Sequence, residues 1–281
     1  MQRLVDARPA RATSGEISVT LSAWDAGTTG RTDSMNLDAT LHLLPRDGSA
    51  SPLYIYLHGR GGTGLSMTPV ADRFAQVYPG AAHLIPEGFD ACDTSPEGRQ
   101  WFSARNVTEE NRRERTIAAL PALVEFIRDA QVHFGVTPIA TALVGFSQGA
   151  IVALEAVQRY ESLVGRVVAI AGRYACLPDH APDAVIHLVH GKEDAVVPAR
   201  HSVEAATRLV ALGGDVTADI VPGITHTPHP ELVERALGHL QTFLPRRVWA
   251  AAIAEAPLMS TRADSRDLAK PVAPPAANDS R

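Results

Sequence analysis

The chain has 281 residues, of which 45% are apolar and 20% charged, and its formal net charge is −5. A chain of that length and balance buries a full core without metal or disulfide support. The mild acidity gives no basic stripe for nucleic acid, and no apolar run reaches the roughly 18 residues needed to span a bilayer.

Met1 to Gly15 reads as a flexible arm. Its arginines at 3, 8 and 11 have no apolar stretch behind them, so the pattern is not that of a secretory signal. Strands are expected at Glu16–Trp24 and Leu37–Leu44, forming an antiparallel edge. Leu53–Leu57 (LYIYL) is a short apolar run entering the glycine-rich His58–Gly64, the pattern of a buried strand feeding a loop. The chain then alternates: helix Val70–Tyr78, strand Ala82–Ile85, a long loop over 86–107, helix Glu109–Phe134 and strand Ala140–Val144. Helix Gln148–Tyr160, strands Val164–Ala171 and Ala184–Val189, helix Ala199–Leu212, strand Asp215–Val221 and helix Pro230–Phe243 follow. Such alternation predicts an α/β domain over 16–245, with a mostly parallel central sheet and helices on both faces. Residues 246–281 read as a tail, with a short helix at Val248–Ala256 and then a Pro-, Ala- and Ser-rich stretch expected to be disordered.

Cys92 and Cys176 are too few and too scattered for a disulfide framework and read as free thiols in a reducing, cytoplasmic compartment.

The strongest chemical signal is Gly145-Phe-Ser-Gln-Gly149, between an expected strand and an expected helix. That is the context of a G-x-S-x-G nucleophile elbow, in which a strained turn lifts Ser147 above the sheet edge. An acid and a base are then expected downstream, in that order. Glu193 and Asp194 both follow the strand that ends at His190-Gly191, and Asp194 is preferred because its shorter carboxylate holds an imidazole more rigidly. His226 and His229 both lie in the loop after the last strand, and His226 is preferred because it directly follows the Gly223 turn. The remaining histidines outside these motifs read as structural or solvated. No metal-ligand spacing is present. The backbone amides of Gln148, opening a helix, and of Arg60, in the glycine-rich loop, are the expected oxyanion donors. The loop has no G-K-[ST] ending, which excludes a Walker-type phosphate site.

Taken together, Leu57–Gly64 (L-H-G-x-G-x-T-G), Gly145–Gly149, His190–Pro198 (H-G-x-x-D-x-x-V-P) and Gly223–His226 resemble the phospholipase/carboxylesterase family of α/β hydrolases over roughly residues 52 to 245. Gly98–Ser103, Thr108–Arg112 and Gly172–Ala175 resemble a subgroup of small bacterial esterases within it. The resemblance implies an α/β-hydrolase fold without a separate lid domain, no cofactor, and a Ser147–Asp194–His226 triad. It places Trp101 near the acyl pocket. Gly62 stands where the family often has aspartate. The expected activity is hydrolysis of small carboxylic esters of short to medium acyl chain. A thioesterase or lysophospholipase would use the same machinery, and a non-catalytic binding protein would not need the complete set.

Overall fold

The computed structural model describes residues 40–45, 50–246 and 248. Its main sheet contains β1 (Leu41–Leu43), β2 (Leu53–Leu57), β3 (Ala82–Ile85), β6 (Thr141–Phe146), β7 (Arg166–Ile170), β8 (Val185–Gly191) and β9 (Val216–Val221). Their spatial order is β1-β3-β2-β6-β7-β8-β9. All neighbours are parallel except β1 on β3, where Leu41 opposes Ile85. The five α-helices among the described residues are α1 (Thr68–Val77), α2 (Glu109–Phe134), α3 (Gln148–Arg159), α4 (Arg200–Ala211) and α5 (Pro230–Thr242).

The apolar run of β2 has a simple cause: both of its faces are covered. Leu53, Ile55 and Leu57 point into a core shared with α2, α3 and α4, while Tyr54 and Tyr56 point into a second core with α1 and α5. α2 begins where a capping box allows it to: the Thr108 side chain accepts from the Asn111 amide and the Asn111 side chain accepts from the Thr108 amide. It stops at Gly135, whose φ of 63° is the left-handed cap that glycine adopts without penalty. The parallel strands all end on one side, so the loops after β2, β6, β7, β8 and β9 converge there.

The stretch 86–107 departs from the expected loop. It contains a hairpin of β4 (Asp90–Cys92) and β5 (Ser95–Gln100). Ser95–Gln100 (SPEGRQ) has none of the β-branched alternation of a strand. Its partner supplies the order instead. The Gly61 N–H donates to the Arg99 carbonyl and the Arg99 N–H to the Gly62 carbonyl, both at 2.8 Å.

The described residues up to Phe243 form one compact unit. Of the expected Leu37–Leu44 strand, Leu41–Leu43 is observed. The arm, the Glu16–Trp24 strand and, apart from Val248, the tail helix and the stretch after it lie outside the described residues. No helix among the described residues is long and apolar enough to cross a membrane.

Candidate active site

β6 delivers Ser147 to the convergent edge. Its φ of 52° and ψ of −114° are rare for a residue with a side chain, a strain of about 1–3 kcal/mol that the surroundings must hold. They do so by hydrogen bonds and close packing. The Ser147 amide donates to the Ile170 carbonyl at 3.0 Å, and its carbonyl accepts from Ile151 at 3.1 Å. A Cβ on Gly145 would stand 2.6 Å from the Ala150 backbone, and one on Gly149 would stand 2.0 Å from the Leu57 carbonyl oxygen. Both glycines of the motif are therefore fixed by backbone approach.

The loops after β8 and β9 meet Ser147. His226 Nε2 lies 2.9 Å from Ser147 Oγ, and His226 Nδ1 lies 2.7 Å from Asp194 Oδ2. The carboxylate accepts, so the network assigns the proton to Nδ1 and leaves the Nε2 lone pair facing the serine hydroxyl. Asp194 Oδ1 accepts from the Val196 and Val197 amides, each at 2.8 Å. Burial pushes the Asp194 carboxyl up, but the bonds from His226, Val197 and Val196 outweigh it and hold the carboxyl below its ordinary range.

Glu193, the alternative acid, is exposed and accepts from the Gly223 amide at 2.7 Å. With the Glu193 N–H donating to the Ile224 carbonyl at 3.1 Å, it stitches the acid loop to the histidine loop. His229, the alternative base, caps α5 by accepting from the Glu231 amide at 3.2 Å.

The third component is the loop after β2. Gly61 and Gly62 amides go to the Arg99 and Gly59 carbonyls, and no described acceptor takes the Arg60 amide. Gln148 opens α3, so its amide belongs to the first helical turn, which has no intrahelical acceptor. Its side chain is also occupied: Oε1 accepts from the Trp101 amide at 2.9 Å, and Nε2 donates to the Phe102 carbonyl at 2.8 Å.

Fully buried His58 fixes the base of that loop. Its Nε2 accepts from the Gly88 amide at 2.8 Å, so Nδ1 carries the proton and donates to the Gly59 carbonyl, also at 2.8 Å. Burial holds its pKa below the ordinary histidine value. Trp101, 1% exposed, donates from its indole to the His58 carbonyl and lines a cavity of about 380 Å³ with Phe89, Phe102 and Ala122.

The structure thus brings Ser147, His226 and Asp194 into one hydrogen-bonded chain, with Arg60 on the loop after β2 and Gln148 beside the serine. It also gives partners to His58 and His190, which the sequence showed only as positions of their motifs, and adds Ser202, which the sequence did not single out, behind Asp194. The sequence signal for His190 is its place as the first residue of H-G-x-x-D-x-x-V-P, at the end of a strand and four residues before the acid.

Comparisons with known proteins bear on the family and the fold. The family described as Phospholipase/Carboxylesterase matches residues 42–244. The chain is 40% identical over 208 residues to "Esterase YpfH" of Escherichia coli (strain K12), covering 74% of this chain and 89% of that one. It is 25% identical to "Acyl-protein thioesterase 1" of Cryptococcus neoformans var. neoformans serotype D (strain JEC21 / ATCC MYA-565), over 69% of this chain and 92% of that one. Among solved structures it is similar to esterase PE8, with a TM-score of 0.66, 27% identity, and coverage of 73% of this chain and 98% of that one.

Proposed function

This chain belongs to the phospholipase/carboxylesterase family of α/β hydrolases, and from that premise we propose that it is a carboxylesterase acting through an acyl-enzyme on Ser147. The observation that carries the reading is the unbroken run Asp194–His226–Ser147, with steps of 2.7 and 2.9 Å and a single consistent direction of donation.

His226 takes the hydroxyl proton as Ser147 Oγ attacks the ester carbonyl. Asp194 stabilises the imidazolium without accepting its proton. The amides of Arg60 and Gln148 donate to the oxyanion, each worth roughly 3 kcal/mol in systems of this kind. His226 then protonates the departing alcohol. Water, deprotonated by the same imidazole, releases the carboxylic acid and restores Ser147.

The acyl pocket is assigned to the Trp101 cavity. Its support is the Trp101 amide, which donates to Gln148 Oε1 at 2.9 Å beside the nucleophile, and the apolar Phe89, Phe102, Ala118 and Ala122, with Asp90, Ser103 and Arg115 on the rest of its wall. Burial of each methylene there favours binding by about 0.8 kcal/mol, which suits a short to medium acyl chain. The two free thiols fit a reducing compartment, and the protein is assigned to the cytoplasm on that ground.

The test is a hydrolysis panel of esters and thioesters of graded acyl length, with Ser147→Ala as the blank. Turnover of oxygen esters by the parent and none by the variant supports the reading. Turnover of thioesters alone moves the activity to the thioesterase side of the family.

A further inference from the structure

Asp194 has two imidazole neighbours, and only one of them touches the nucleophile. Its Oδ2 lies 2.7 Å from His226 Nδ1 and 3.2 Å from His190 Nε2. His190 is completely buried, and its Nε2 also lies 2.7 Å from the Val197 carbonyl oxygen. Two acceptors at Nε2 require that nitrogen to carry the proton. Its Nδ1, 2.8 Å from Ser202 Oγ, is then the acceptor, and the Ser202 hydroxyl donates to it. Ser202, on α4, is 1% exposed.

The chain of donation is therefore symmetric about the carboxylate. Ser147 and His226 approach it from the solvent side, and Ser202 and His190 from the core. With the Val196 and Val197 amides on Oδ1, every acceptor direction of Asp194 is filled, and the His190 proton is shared between the carboxylate and the carbonyl of the same loop.

We propose that the buried Ser202–His190 pair is a positioning device for this site: it fixes the plane and place of the Asp194 carboxylate, and through it the orientation of His226. The proposal rests on the triad reading above. His190 does no proton transfer of its own, since both of its nitrogens face protein groups and it is sealed from water. Its function is geometric. A carboxylate held from two sides cannot rotate away when the imidazolium forms, and displacement of a reacting group by about 1 Å costs on the order of 10²-fold in rate.

The test compares His190→Phe, which keeps a ring but removes the donor, with His190→Gln, which restores an N–H at similar reach. Steady-state kinetics and the downfield proton resonance of the His226 Nδ1–Asp194 hydrogen bond are measured on both. The expected result for His190→Phe is a kcat about 10²-fold lower, with KM held within about twofold, and a lost or shifted resonance. His190→Gln is expected to recover most of both. Equal losses in the two variants, or a His190→Phe variant with the parental kcat and resonance, overturn the proposal. If His190→Phe does not fold, Ser202→Ala carries the same test: a kcat about fivefold lower and a shifted resonance support it, and an unchanged resonance overturns it. Ser147→Ala separates the two levels of inference. An inactive Ser147→Ala beside an unaffected His190→Phe removes only the positioning device, whereas an active Ser147→Ala removes the triad reading itself.

Discussion

The indole N–H of Trp101 donates to the carbonyl of His58 at 2.8 Å. The residue that lines the cavity beside the site therefore also braces the loop that carries the Arg60 amide. Trp101→Phe keeps the apolar wall and removes the donor. It leaves a buried carbonyl short of a partner, at a cost of about 1–3 kcal/mol. The expected outcome is a lower urea midpoint together with a kcat about tenfold lower, because the unbraced loop aims its amide less well. A variant with the parental midpoint and kcat would show that the brace carries no weight.

Gly149 sits so close to β2 that a Cβ would stand 2.0 Å from the Leu57 carbonyl oxygen. Gly149→Ala must therefore push α3 away from the strand that leads into the oxyanion loop. Loss of nearly all ester turnover is expected, with a large drop in thermal midpoint. Wild-type kinetics in Gly149→Ala would contradict the packing described.

The two neighbouring acids separate cleanly by burial: Asp194 is 5% exposed, whereas Glu193 is exposed. Asp194→Asn offers an amide that favours the wrong tautomer of His226, and kcat is expected to fall by about 10⁴-fold, as in other triads. Glu193→Gln still has an oxygen for the Gly223 amide and should stay within about threefold of the parent. Kinetics on the pair decide the matter, and comparable losses would return Glu193 to candidacy.

Buried histidines give the fold an acid-sensitive window. Burial lowers His83 to about 4 and, with Arg166 and His239 nearby, lowers His187 to about 3. Below pH of about 6.5 the unfolded chain binds protons at these positions that the native state refuses. Their contribution to stability is therefore complete above that pH and lost as pH falls, by on the order of 1.4 kcal/mol per pH unit for each histidine. Glu155, whose carboxyl burial pushes up, acts in the opposite sense, near the range where carboxylates titrate. Denaturant midpoints measured between pH 8 and 5 should fall, and should fall less steeply in His187→Gln. A flat profile across that range would count against neutral, buried histidines.

Much of this was legible in the residues, and the exceptions have physical causes. The alternation of short apolar runs with helical periodicity located the parallel sheet, because strands buried on both faces must read as LYIYL or ALVGF do. The elbow was legible because its glycines answer to backbone contacts that no side chain can replace. The hairpin at Asp90–Gln100 was not, since its order comes from pairing with Gly61 and Gly62 rather than from local propensity. The sequence favours Asp194 over Glu193 on carboxylate length, whereas the structure separates the two by burial, the loop turning Asp194 inward and leaving Glu193 exposed. His190 was visible as a motif position, but its contact with Ser202 was not, because that partner comes from the next helix.

The central claim is that Ser147 is the acylated nucleophile, and fluorophosphonate labelling followed by mass mapping tests it most directly. One equivalent of label on the peptide bearing Ser147, with parallel loss of ester turnover and no labelling of Ser147→Ala, is the predicted result. Labelling at another serine, or ester turnover that persists in Ser147→Ala, would contradict it.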